Sequence, residues 1–337
     1  MPVPGETALH AVAIFALGIA VASAASSPAP LAVAEKIALG DVRGRIDHLA
    51  LDPARHRIFV AELGNDSVGV VDLATGRVIR RIVRLDQPQG VAYLAREDTL
   101  VVANGGDGSV RRFTGADLAP GAAINLRSDA DNVRVGSDGH EVIVGHGAGG
   151  LAILDSATFK LTGDIALPGH PESFQVEATG SRVFVNVPDA AQIAVVDRTT
   201  RKVIAHWGLA DAAGNFAMAL DERNGWLWVA YRRPAQVAVF DRRSGALVAK
   251  LPACGDADDV FVDDRRQQVY VSCGEGDVQV LGWHRHAIRE VGRVRTSPGA
   301  RTALFVPEMD VLVVAVPARG SEPAALWLLR PNDSSTQ

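Results

Sequence analysis

Apolar and polar residues alternate along most of this 337-residue chain in short runs. A period of two puts successive side chains on opposite faces of an extended backbone, so each run predicts a half-buried β-strand. Seven such runs open similar units: "HLALD", "GVAYL", "NVRVG", "SFQVE", "AMALD", "DVFVD" and "TALFV". Polar turns follow, among them "DPARHR", "SDGH", "EATGS", "DERNG" and "DDRRQQ". A β-branched apolar run comes next ("IFVAE", "LVVAN", "VIVGH", "VFVNV", "LWVAY", "VYVSC", "LVVAV"). A third run often ends in Asp, as in "VGVVD", "LAILD", "IAVVD" and "VAVFD", and a fourth closes the unit, as in "RVIRRIV". These parts are strands A to D of one repeating unit. No segment carries a helical period.

The central residues of the seven A strands are Leu49, Val91, Val133, Phe174, Met218, Val260 and Ala303, with gaps of 42, 42, 41, 44, 42 and 43. A steady period near 42 is that of a four-stranded propeller blade. The expected fold is therefore all-β, a seven-bladed β-propeller. The period also explains a near-repetition: "DADNVRVGSDGHEVIVGH" at 129–146 and "DADDVFVDDRRQQVYVSC" at 256–273 stand 127 positions, or three units, apart. The seventh unit ends before a fourth strand. The surplus segment "LAVAEKIAL" at 31–39 is predicted to supply that strand and close the ring, which removes exposed sheet edges.

The B-to-C passages "RIFVAELGNDSVGVVDLATGRVIRRI", "RVFVNVPDAAQIAVVDRTTRKVIAHW" and "WLWVAYRRPAQVAVFDRRSGALVAKL" resemble the YncE-like, YVTN-repeat family of secreted seven-bladed propellers. The resemblance covers nearly all of 46–329 and implies the fold and an exported protein. It implies little about activity, and no unit spells the family's Tyr-Val-Thr-Asn tetrad.

The N-terminus predicts export directly. An apolar run at 11–22 precedes Ala22-Ser23-Ala24, an A-x-A cleavage pattern, although the preceding stretch lacks Lys and Arg. The expected layout is a signal peptide at 1–24, a linker at 25–30, one propeller at 31–331 and a mobile tail at 332–337, in a periplasmic or secreted monomer with no membrane span in the mature chain. A net charge of −5 argues against a nucleic-acid partner, which calls for a basic face.

In a propeller, the D-to-A and B-to-C connections emerge together around the channel mouth. The residues just before each A strand should therefore converge. They are Arg45, Asp47, His48, Gln89, Asp131, Asn132, His170, Glu172, Asn215, Asp258, Asp259 and Arg301. The residues just after each B strand (Glu62, Asn104, His146, Tyr231 and Cys273) should face the same way. Carboxylates crowded at one mouth repel one another unless a cation or hydrogen-bond donors offset them. Asp131, Glu172 and Asp258, with Asn132 as a neutral donor, are the expected oxygen ligands of a Ca²⁺ or Mg²⁺ ion. No organic cofactor is indicated. Arg45, His48 and Arg301 make the opposite side basic, and Arg301 is the expected fork for a carboxylate. Such a mouth suits a small zwitterion or a metal-bridged carboxylate. The alternative is a divalent-metal hydrolase of the propeller-lactonase type, with His48 or Asp259 handling the water proton. A third possibility is a scaffold that meets other envelope proteins.

The remaining features are structural expectations. Asp72, Asp155, Asp197 and Asp241 are turn formers, and the histidines of "WHRH" at 283–286 are a solvated pair. Cys254 and Cys273, the two cysteines of the chain, both fall on the mouth face and are expected to form a disulfide. If Val262 pairs with Val269, regular pairing puts Cys273 opposite Asp258, and the "CGDAD" loop must curl back to bring Cys254 within reach.

Overall fold

Each predicted blade folds as one antiparallel sheet, because its consecutive runs are joined by turns too short for anything but hairpins. In the computed structural model, which describes residues 1–2, 29–209, 211–285 and 287–332, the chain forms seven four-stranded sheets. The A strands are Leu49–Asp52, Pro88–Leu94, Ala130–Val135, Phe174–Val176, Ala213–Asp221, Ala257–Asp263 and Thr302–Val306. The only helical elements among the described residues are three single 3₁₀ turns. No helix there is long and apolar enough to cross a membrane. The expected signal peptide, apart from Met1 and Pro2, residues 25–28 of the linker, His286 of "WHRH" and residues 333–337 of the tail lie outside the described residues.

The ring closes as the missing strand requires. Leu31–Gly40 runs antiparallel to Ala324–Pro331, with Leu31 opposite Pro331 and Ile37 opposite Leu326. Ile37 and Leu39 are buried in a cluster with Ile58 and Val60 of the first blade and Val313 and Leu326 of the seventh. The other clusters lie likewise between neighbouring blades; one joins Phe184 of the fourth blade to Leu227 and Tyr231 of the fifth. The core is thus a set of seven inter-blade layers rather than one central mass. This is why the axis stays open.

The inner strands share one irregularity. In the second, third, fifth and sixth blades the A–B ladder skips a residue, between Pro88 and Val91, Ala130 and Val133, Asn215 and Ala217, and Ala257 and Asp259. In the first and fourth blades the hydrogen bonds make the same feature: Asp47 and His48 share Ala61, and Glu172 and Ser173 share Asn186. These are β-bulges, with two residues opposed to one, and a bulge re-aims side chains. The freed backbone also stitches the blades together. His48 N–H donates to the Gln89 carbonyl at 3.3 Å, and Ser173 N–H to that of Phe216 at 3.2 Å. Gly90 sits so close to the third blade that a Cβ there would lie 1.9 Å from the Asp131 carbonyl oxygen.

The turns keep the expected chemistry. Asp72, Asp155, Asp197 and Asp241 each accept bonds from the backbone N–H and hydroxyl of the Thr or Ser three residues on. Cys254 and Cys273 are bridged, with Cα atoms 5.9 Å apart. Val262 does pair with Val269, but the bulge puts Ala257, not Asp258, opposite Cys273. The loop curls back through Asp256, whose φ is +58°, rather than through the neighbouring Gly255. Its counterpart Asp129 also has positive φ, +37°. Asp is one of the few side chains that tolerate the left-handed region. The first Asp of each "DAD" is therefore a turn residue first.

Removing residues 31–39 deletes Leu31, Ile37 and Leu39, whose burial is worth at least about 5 kcal/mol together, and leaves the Ala324–Pro331 edge unpaired. The truncated protein should melt well below the parent and self-associate, as calorimetry and size-exclusion chromatography would show; an equally stable monomer would refute the closure. The disulfide closes a loop with a sequence separation of 19. Replacing both cysteines by Ala should cost about 3 kcal/mol in chemical denaturation, and thiol titration of the unreduced, unfolded parent should find none free.

Candidate functional site

The bulged positions of the six blades, with the loop ends of the seventh, surround a cavity of about 390 Å³ at one end of the channel. Of the residues expected there, Arg45, Asp47, His48, Gln89, Asp131, Asn132, His170, Glu172, Asp258, Asp259 and Arg301 line it. Asn215 does not. It is fully buried behind the wall, where its side-chain amide donates to Asn186 Oδ1 and to the Gln192 carbonyl, both at 2.9 Å. The slots after the B strands are mostly structural too. Glu62 is buried, taking bonds from Ser67 Oγ at 2.6 Å and Arg81 Nε at 2.7 Å, and Asn104 is buried against Ser109.

One arc of the wall is internally neutralised. Across the junction of the first and seventh blades, Arg45 Nη2 lies 2.6 Å from Asp47 Oδ2, and Asp47 Oδ1 lies 3.2 Å from His48 Nδ1. Burial alone would raise the Asp47 carboxyl, but His48, Arg45 and Arg301 outweigh it and hold it below the usual range. For His48, burial favours the neutral ring. The hydrogen bond and charge of Asp47, with Asp131 and Asp259 nearby, prevail and push its pKa up to about 9. Further round, Arg301 Nε contacts Asp258 Oδ2 at 3.0 Å and its Nη1 contacts Asp256 Oδ2 at 3.0 Å. Arg232 completes the cluster by bonding Asp258 and Asp256 from the other side, with its guanidinium 3.8 Å from the Phe216 ring centre. Arg301 is therefore engaged by the chain's own carboxylates rather than held free as a fork. Asp259 Oδ2 accepts the Ala303 N–H at 2.8 Å. Burial, reinforced by Asp258 and opposed by His48, raises its pKa to about 7.

The opposite arc, from the third and fourth blades, has acceptors to spare. Gln89 Nε2 donates to Asp129 Oδ1 at 3.0 Å. His170 donates from Nδ1 to the Gly147 carbonyl at 2.6 Å, while Nε2 lies 3.7 Å from Asp131 Oδ2. Asp131 is the main reason that the His170 pKa is raised to about 9, against the effect of burial. Among the described residues the Glu172 carboxylate has neither a hydrogen-bond nor an ion-pair partner, and Asp131 Oδ1 and Asn132 Oδ1 are buried without one. Burial, then the charge of Asp131, lifts the Glu172 pKa to about 7.

Of the expected cation ligands, Glu172, Asn132 and one Asp131 oxygen stay unpartnered, and the others are engaged. Asp258 is held by two arginines and Asp131 faces His170. Among the described residues no three His, Cys, Asp or Glu side chains gather closely enough to hold a metal ion. What the wall offers is a cluster of unpaired acceptors facing a neutralised basic arc.

Arg232, Phe216 and Asp129 line the cavity without having been ranked among its ligands. Position gave a signal for each: Arg232 follows a B strand in "YRRP", Phe216 holds the slot of Asp131 two blades on, and Asp129 opens the "DAD". Which of these acids has a partner is decided by side chains up to 45 residues away, as for Asp256 and Arg301.

No known family model matches the chain, and no curated protein does. Solved structures do. The chain is similar to one in hydrazine synthase of Kuenenia stuttgartiensis, with a TM-score of 0.74 at 15% identity, over 92% of this chain and 99% of that one. It is equally similar to a chain of the mitotic checkpoint complex, with a TM-score of 0.74 at 13% identity, over 95% and 99%. At such identities the likeness is one of fold, and the chain is a seven-bladed β-propeller.

Proposed function

We propose that this propeller is an exported binding protein of the YncE-like kind that holds a small amine-bearing solute, a cation or zwitterion, at its channel mouth. The observation that carries this reading is the unpartnered Glu172 carboxylate beside the buried, unpaired oxygens of Asp131 and Asn132. All three are acceptors, and the two that are fully buried, on Asp131 and Asn132, cost about 1–3 kcal/mol each without donors. An ammonium group supplies donors and charge together and relieves all of them at once. A carboxylate on the same solute would face the arc of Arg45, His48 and Arg301. For the metal-dependent hydrolase, Asp258 is already held by Arg232 and Arg301. Work outside the cytoplasm is supported by the leader-like N-terminus and by the disulfide, which persists in oxidising compartments.

Titration calorimetry with small primary amines and amino acids, against matched neutral amides, tests the reading. Amines should bind and amides should not, and Glu172→Gln should weaken amine binding about tenfold. Affinity should rise from pH 6 to pH 8, because Glu172 must lose its proton near pH 7 while the amine keeps its own. Equal binding of amines and amides, or no pH dependence, would overturn it.

The same group makes a prediction for the empty protein. A carboxyl whose pKa is raised on folding binds more protons folded than unfolded, so stability falls as pH climbs from the ordinary value toward about 7. Glu172→Gln should therefore melt higher than the parent at pH 8, and the difference should vanish near pH 4. Thermal melts at the two pH values would check this.

A further inference from the structure

Below the mouth the channel continues into a second chamber of about 420 Å³, which shares only His48 and Asp259 with the first. It is walled by the channel-facing residues of the A strands. One residue beyond each strand centre stand Ala50, Ala92, Arg134, Gln175, Ala219, Phe261 and Leu304, so that Arg134 is the one charged side chain of that ring. Met218, Leu220 and Val262 add to an apolar lining.

Arg134 faces the channel without a carboxylate partner, and among the half-buried arginines Arg112 resembles it in bonding only a backbone carbonyl. Arg57, Arg182, Arg232 and Arg301 each contact a carboxylate at about 3 Å or less. Among the described residues Arg134 has no carboxylate within ion-pair distance. Its side chain bonds only the carbonyl of Val133, at 2.9 Å, and stands 5.7 Å from the Phe174 ring centre. The nearest acids are committed elsewhere: Asp259 to the Ala303 N–H and His48, Asp131 to His170. Enclosure in the channel pulls the guanidinium's pKa down, the sign of a cation short of solvent and of counter-charge. The side chain is half-buried, so its charge is only partly hydrated and an anion entering the chamber would complete it.

We propose that this chamber is a second binding site, for a small apolar monocarboxylate, with its carboxylate on Arg134 and its hydrocarbon against Ala92, Met218, Leu220, Phe261 and Leu304. The guanidinium presents parallel N–H donors that match the two oxygens of a planar carboxylate. The apolar walls reward a hydrocarbon and give a hydrated inorganic anion nothing. The cavity is at the lower end of the size range of small-molecule sites. The site differs from the mouth in both charge and lining, so its occupant is independent of the amine ligand.

Titration of the full-length protein with octanoate, with octylamine and 1-octanol as controls, tests the assignment. Octanoate should bind saturably and raise the melting temperature, since a ligand that binds only the folded state adds stability by mass action. 1-Octanol, which offers Arg134 no anion, should not, and any response to octylamine, which the mouth can take, should be unchanged by Arg134→Gln. Arg134→Gln should weaken octanoate binding by about 10- to 100-fold, and Arg134→Lys, which keeps the charge and loses the fork, should fall between. Because Arg134 holds no ion pair, the Gln variant should melt no lower than the parent, which separates loss of the site from loss of the fold. Unchanged octanoate affinity in the Gln variant, equal binding of 1-octanol, or no saturable octanoate binding up to about 10 mM would overturn the assignment.

Discussion

The pairing of Leu31–Gly40 with Ala324–Pro331 is the contact on which the other features rest. Every other sheet is made from one local stretch of chain, but the seventh is completed by a strand about 290 residues away in sequence. Only this pairing brings the first blade beside the seventh. Across that junction Thr302 Oγ1 donates to the Ile46 carbonyl at 3.2 Å, and Arg301 comes near enough to Asp47 to influence its ionisation. Without closure the mouth has no basic arc and the channel has no wall on that side.

Given a closed ring, the bulges decide what the channel displays. A regular ladder would send alternate residues of each A strand into the inter-blade layers. Doubling one position breaks the alternation where the strand reaches the mouth, and the residues at 47–48, 131–132, 172–173 and 258–259 all come to line the cavity. The same irregularity frees backbone groups for the bonds between blades, so the device that builds the site also helps hold the ring together.

The site and the second chamber are places where the molecule departs from lowest energy. Glu172 and Asp259 have raised pKa values because burial and like charges oppose their ionisation. Arg134 stands half-buried in the channel without a carboxylate partner. Elsewhere enclosed charges are paired: Asp52 with Arg57, Glu177 with Arg182 and Arg242, Asp263 with Arg266. The contrast follows position in the fold. Most charges between blades and at the turns are paired, and charges facing the axis are left in part unsatisfied, where a ligand can reach them.

The sequence by itself determined the architecture, because strand alternation and turn chemistry are local and are written seven times over. The period near 42, the missing fourth strand of the last unit, the spare strand at 31–39 and the Asp turns at Asp72, Asp155, Asp197 and Asp241 all depend on residues close together in the chain. It also brought the acids of the mouth to one end of the channel, since the period fixes which end each residue reaches. Tertiary structure alone decided which charges are free. Asp258 and Arg301 read as ligands until Arg232 and Asp256 neutralise them, and Asn215 reads as a mouth residue until it is found bonded behind the wall. In the sequence Arg134 is one polar residue in an alternating strand. Its isolation is a property of six other strands, none of which its own sequence neighbourhood can specify.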